Sequence, residues 1–598
     1  MKNLLYIIAA LFITLQIVGC SDTFLEEKSE TDFTSSTLFE TPEGLEKMVL
    51  ALYAYERDFV SSVNAYFPHF VYNDRVTDLI VFITGSDSHL SRYTSPGPSS
   101  EPANVIYGPY WNRRYYEIGR ANEIIYYGEQ LGEETAQTVG EASFFRAYNY
   151  YGLWSKFSRL YLTTEPVTKD NLDDINYAPA DSTAIFQLMY SDLDRAIEVL
   201  PNVAPADGRI SKATARHLKA LVAAWTKDWQ EVANQIDAID SEPNGLSLVP
   251  NPVNIFNKSN LSTSETLWKL TFSQERGGGE GHRYSSQMVS QIASENMTWK
   301  VINGVPTQYN EENLGRNDGR AFPNSYLMSL YPEDDLRITA YYKTHYTYQN
   351  PNELITIPPA KDKVVNGVTI RSTTNETGLP YTVKVGDTIY GRDVKEAKGK
   401  ALDRRRILPS SLKNVDIWTK PLDANNDHVS FKDIMVFRLA ESYLLGAEAY
   451  MHLGNQVKAR YYYNKTWERA GHSPETKEIT FDMIRDEHAR ELAFEGRRWE
   501  FLKRNGIWYN QMRNYAGDFT KYPASSLADY DENTYGISDG RDPAFGPNPE
   551  YYYDMNGSDT DIFVRFNVRS YHVNWPIPQS QIDAMGAENF PQNPGYSE

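Results

Sequence analysis

The sequence predicts a mostly α protein built of stacked tetratricopeptide-like helix pairs, with long loops and a small β insertion. Three observations carry this reading. Between Ile434 and Gly506 apolar residues return every three or four positions through three successive runs, which is the period of a helix with one buried stripe. The connection at Gly454-Asn455 is so short that the first two of those helices must pack antiparallel. Elsewhere helical runs alternate with stretches where periodicity fails and Pro and Gly accumulate, and at Asn366-Gly367 two apolar runs meet across a strong hairpin signal.

At the start of the chain, Met1-Lys2-Asn3 precedes an apolar run from Leu4 to Val18 that ends in Val18-Gly19-Cys20. A charged start, a short apolar core and small residues before a cut make residues 1–19 a secretory signal, too short for a stable membrane span. The ending resembles a bacterial lipobox, so Cys20 is expected to become a lipidated first residue whose acyl chains anchor the protein to a membrane. Residues 20–40 are rich in Ser, Thr, Asp and Glu and read as a tether.

Residues 41–265 make the first helical region. Thr41 is an N-cap candidate, Pro42 suits the first helical position, and Leu45, Leu52 and Tyr55 share a face. From Tyr66 to Tyr110 the pattern is broken by Gly85, Pro96, Gly97, Pro98, Pro102 and Pro109, a long excursion of the kind that carries function. Helices return from Trp111 to Gln130, Glu134 to Trp154, Ala184 to Leu200, Ser211 to Trp225 and Trp229 to Ile239. Arg120 and Arg146 lie in these helices and read as ion-pair partners within the bundle.

Residues 266–430 hold the loops and the β insertion. A strand is expected from Leu267 to Ser273, a short helix from Tyr326 to Tyr331, a hairpin about Asn366-Gly367 and a further strand from Thr382 to Tyr390. The Gly277 to Gly281 run lacks the Lys-Ser or Lys-Thr of a phosphate cradle and reads as a loop. In the last region, 431–598, the first helix carries Phe437, Ala440, Leu444, Ala447 and Met451, and the second Ala459, Tyr463, Thr466 and Ala470. The third is read as one helix from Phe481 to Gly506, with Gly506 as its left-handed cap. A loop from Tyr509 to Asp561 and an extended Trp575-Pro576-Ile577-Pro578 tail follow.

Lys plus Arg number 59 against 79 Asp plus Glu, a formal net charge of −20. That balance argues against nucleic acid and favours a neutral or cationic ligand. The usual catalytic constellations are missing: there is no HExxH, no GxSxG, and Cys20, the single cysteine, is committed to the anchor. The ten histidines are scattered without ligand spacing. Asp423, Asn425 and Asp427 open like a calcium loop, but His428 stands where Gly is needed and Ile434 where Glu belongs. The chain is therefore read as non-enzymatic, with no metal site and no cofactor.

Binding is better supported. Sugars present apolar faces and hydroxyl edges, which Trp and Tyr rings and Asn, Asp or Arg side chains match. Most of the 11 Trp fall in helical patterns and belong to the core. Trp299 stands in an irregular polar stretch with Tyr309 and Arg320 nearby, and Tyr93 and Tyr107 lie on the proline-rich excursion. These five are the candidate ligand-binding residues.

The runs RLAESYLLGAEAY (Arg438 to Tyr450), RELAFEGRRWEFLKRNG (Arg490 to Gly506), WPIPQSQIDAM (Trp575 to Met585) and NPGY (Asn593 to Tyr596) resemble the signature segments of the SusD/RagB family. GEASFFRAYNYYGLW and the Asp335-Leu336-Arg337 run extend the likeness. The resemblance implies a SusD-like, lipid-anchored protein of the outer membrane, facing the cell exterior. It further implies a non-catalytic role in which the protein captures a glycan and acts as the lid of a SusC-like TonB-dependent transporter. The alternative is a helical scaffold for a peptide or protein ligand, as the RagB branch suggests.

Overall fold

The computed structural model describes residues 38–61, 77–82, 106–167, 171, 176–275, 430–516 and 568–596, with shorter stretches between 300 and 416. Local capping sets several of the helix starts. Thr41 Oγ1 accepts from the Gly44 amide at 3.1 Å and opens α1 (Pro42–Ser61). The long helices α2 (Gly108–Leu131), α3 (Ala136–Phe157) and α4 (Ser182–Val199) follow, the last capped by Asp181, which accepts from Thr183 N at 2.7 Å. Next come α5 (Lys212–Thr226) and α6 (Trp229–Ser241). Each packs on its neighbour in the chain, so the apolar stripe of one helix is buried by the next, as in a helical repeat. Arg146 of α3 pairs with Asp192 of α4 at 2.6 Å, the bundle role expected of it, whereas Arg120 pairs with Glu123 at 2.8 Å within α2 itself.

The stack continues into α7 (Leu439–His452) and α8 (Gln456–Arg469), joined through Gly454 at φ 73°. Ala447 and Ala459 are fully buried, and Gly446 also packs tightly, since an added Cβ there would lie 3.0 Å from the Tyr462 ring. Tyr450 and Tyr462 donate to Asp237 at 2.6 and 2.5 Å, and Tyr443 and Tyr461 donate to Asp240 at 2.9 and 2.8 Å. Four hydroxyls thus fasten α7 and α8 onto α6.

Among the small strands are β1 (Ile80–Phe82), β2 (Thr266–Leu270), β3 (Lys300–Ile302), β4 (Val305–Thr307), β5 (Ala321–Pro323), β6 (Asp362–Val365), β7 (Val368–Arg371) and β8 (Ile434–Arg438). β6 and β7 pair with Val365 opposite Val368, so a two-residue connection at Asn366-Gly367 joins them as anticipated. The segment from Thr382 to Tyr390 is not one strand: Tyr381–Thr382 and Thr388–Tyr390 pair with different partners.

Two further expectations are corrected. The first of the three C-terminal helices begins only at Leu439, because Ile434–Arg438 is a strand paired with β2, Ile434 opposite Leu270. The third run is two helices, α9 (Phe481–Leu492) and α10 (Arg498–Arg504), separated by Phe494 at φ 66° and Gly496 at φ 74°. Those left-handed residues turn Glu495 and Arg497 inward, where both are buried. A short α11 (Trp508–Tyr515) follows. The tail closes on the end of α3: Trp575 N donates to Lys156 O at 2.8 Å, and Asn593 Nδ2 donates to Phe157 O at 2.8 Å.

Candidate functional site

One corner of the molecule gathers the described ends of several long loops. β1 and β5 are antiparallel, with Phe82 opposite Ala321. Asn324, just after β5, donates its side-chain amide to Asp78 O at 2.8 Å and Tyr515 O at 2.9 Å. Its backbone N–H donates to Leu79 O at 2.9 Å. Tyr515, at the end of α11, stacks on Tyr326 with centroids 3.9 Å apart. Beneath them Arg498 gives Asp78 a two-pronged ion pair at 2.9 and 2.7 Å and donates to Arg485 O at 2.9 Å. Such buried, charge-assisted forks are both strong and directional. Phe82, Ala321 and Ala516 are therefore the edges of one clamped corner. The stretch carrying Tyr93 departs from its first edge, and the stretch carrying Arg320 arrives at its second.

The β3–β4 hairpin does the same for another pair. Lys300 opposes Thr307, which brings together the two chain ends that run on to Trp299 and Tyr309. The side chains of Trp299, Tyr309, Arg320, Tyr93 and Cys20, and the Asp423 to Asp427 run, lie outside the described residues. Tyr107 is not an exposed platform. It is 1 % exposed and packs on Trp575 with centroids 4.9 Å apart, because the returning C-terminal tail covers the first turn of α2.

Behind the corner lies a buried ionic network centred on Glu491. Its carboxylate accepts from Arg337 at 3.0 Å, Arg438 at 2.7 Å, the Tyr341 hydroxyl at 3.1 Å, and Arg469. Its carbonyl accepts from Lys413 and Arg438, both at 2.7 Å. Arg337 also forks onto Asp335 and Glu487, and Arg438 onto Glu495. Burial works against ionisation here, yet Arg337 and Arg490 hold Glu487 down at about 2. Burial pushes Lys413 down to about 8 against the pull of Glu495. These groups are spent on one another, so the network organises the body and offers no free acid or base to a substrate. Among the described residues no three metal-ligating side chains cluster, and no helix is long and apolar enough to cross a membrane.

The network and the clamp draw in part on the segments noted in the sequence: Arg438 from one, Arg490, Glu491, Glu495 and Arg498 from another, Asp335 and Arg337 from a third. A family model described as the SusD family matches residues 264–596. The chain belongs to the SusD family. A second model, described as "Starch-binding associating with outer membrane", matches residues 23–220. A SusD-like protein of Formosa agariphila is 22% identical over 609 aligned residues, spanning 99% of each chain. A solved structure named as a laminarin binding SusD-like protein is 19% identical, with TM-score 0.60 over 93% of this chain and 99% of that one. Surface glycan-binding protein A from Bacteroides thetaiotaomicron, in complex with laminarihexaose, is 18% identical, with TM-score 0.58 over 92% and 99%. A SusD homolog of the same organism reaches TM-score 0.63 at 17% identity over 95% and 100%. The SusD fold of this chain is thus shared along nearly its whole length.

Asp78, Asn324 and Tyr515 went unseen in the sequence. Asp78 lies in an aperiodic stretch, and its partner Arg498 is 420 residues away. Only the Arg-rich signature segment hinted that buried cations would need carboxylates.

Proposed function

We propose that this SusD-family chain is a non-catalytic surface lipoprotein, anchored at Cys20, that binds an oligosaccharide or polysaccharide. It delivers that glycan to a SusC-like TonB-dependent transporter in the outer membrane, over which it acts as a lid. Trp299, Tyr309, Arg320 and Tyr93 contact the ligand; Tyr107 is withdrawn from the set because it is buried. The observation that carries the reading is the clamped corner, where the strand pair holding Phe82 against Ala321 sets the loops of Tyr93 and Arg320 side by side at their roots. Relatives of this fold bind laminarin or laminarihexaose by name, and the net charge of −20 suits a neutral glycan.

Affinity-gel electrophoresis against laminarin, starch and other neutral polysaccharides, with peptide pools tested in parallel by calorimetry, examines the ligand class. Retention by at least one polysaccharide and silence with peptides is expected; the reverse result would make the chain a peptide scaffold. The anchor is tested separately. Cys20→Ala should move the protein out of the membrane fraction or leave its signal uncut, and unchanged fractionation in cells lacking the transporter would overturn the lipoprotein assignment.

A further inference from the structure

Between α3, α5, α7, α9 and α10 the packing leaves a small cavity bounded by Glu441, Glu448, His488, Arg497, Glu500 and Arg504, with Leu and Phe side chains closing its ends. Most of its polar atoms are satisfied. Arg504 forks onto Glu448 at 2.7 and 2.5 Å, Arg497 Nε donates to Glu441 at 2.8 Å, and the Tyr151 hydroxyl donates to Glu500 at 3.0 Å. Two are left over. His488 is 5 % exposed, and its Nδ1 has no hydrogen-bond partner among the described residues. Arg497 Nη2 lies 3.2 Å from Glu500 Oε2 but makes no aligned hydrogen bond.

We infer that this cavity is a binding site for one structural water, held between the Nδ1 of His488 on α9 and the Nη2 of Arg497 at the start of α10. Size excludes organic ligands, because the space is about that of a single water. The charged groups of the wall are already engaged with one another, Glu441 by Arg497, Glu448 by Arg504 and Glu500 by the Tyr151 hydroxyl, so a neutral ligand fits them better than an ion. Burial and the neighbouring Arg498 keep His488 well below its ordinary value and so neutral, with a ring nitrogen free to accept. A water accepts from Arg497 and donates to His488, and its second proton reaches a carboxylate of the wall. A buried water with about three such bonds is a retained part of a fold. Here it bridges the left-handed turn at Phe494 and Gly496, joining α9 to the helix that clamps the corner.

A crystal structure of the folded protein at about 1.8 Å or better tests this directly. The expected result is one fully occupied peak within about 2.6–3.2 Å of both His488 Nδ1 and Arg497 Nη2. An empty cavity would overturn the site, and so would an anomalous peak there after a bromide soak, which would make the ligand a halide. The variant His488→Phe keeps a ring stacked on Phe501 and removes the acceptor, so the peak should vanish. A peak persisting in place would show that His488 does not hold it. If that variant fails to fold, the parent structure still decides.

Discussion

Replacing Arg498 with Met should unfasten the corner while keeping the bulk of the side chain. Arg498 and Asp78 are 1 % and 0 % exposed and share two short hydrogen bonds, so the variant leaves a buried carboxylate with no cationic partner. Breaking a buried pair from one side costs about 3–5 kcal/mol. An unfolding entropy of ~2.1 cal/mol/K per residue over 598 residues is about 1.3 kcal/mol/K, so the melting temperature should fall by about 2–4 °C. Calorimetry on the parent, Arg498→Met, Asp78→Asn and the double variant closes a double-mutant cycle. The double variant removes both charges together and should be less damaged than the sum of the singles, with a coupling of at least ~2 kcal/mol. Additive losses, or a fall of less than half a degree in Arg498→Met, would refute the idea that this pair holds β1 and β5 to α10.

Other expectations follow from the packing and the buried charges. Gly446→Ala places a Cβ 2.9 Å from Ile236 and 3.0 Å from the Tyr462 ring, and should destabilise by ~1–3 kcal/mol through overpacking; an unchanged melting curve would mean that α7 and α8 are not in this register. Glu117 is buried beside Glu56, and burial together with that like charge raises its carboxyl from 4.5 to about 7. The folded state therefore holds this proton more tightly than the unfolded chain, so the stability it contributes is complete below 4.5 and is lost as pH rises through about 7. Glu117→Gln should accordingly gain stability relative to the parent between about pH 5 and about pH 8, and a difference that does not change with pH would contradict that.

What the sequence disclosed and what it hid divide along physical lines. Helices such as α4 and α5 were legible because apolar spacing, capping residues and short connections are local signals. β8 was not: Phe437, Ala440 and Leu444 fit a helical period, and a strand buried at all five positions has no alternation to betray it. The break between α9 and α10 depends on a left-handed Phe494, which a non-glycine residue adopts only when its surroundings compel it. Tyr107 looked exposed among prolines, yet it is covered by Trp575, a contact from the opposite end of the chain. The functional residues were approached through composition and surroundings, which point to the loops; the clamp that roots those loops is made of pairs distant in sequence and could not be read from either partner alone.

The most direct test of the central claim is the affinity of Trp299→Ala for a polysaccharide that the parent retains, measured beside its melting temperature. Loss of an aromatic platform should weaken binding by ~2 kcal/mol, about thirtyfold, while the melting temperature stays at the parent value and Tyr309→Ala and Arg320→Ala show smaller losses. Undiminished binding would contradict the account, and a lower melting temperature with binding intact would assign Trp299 to packing.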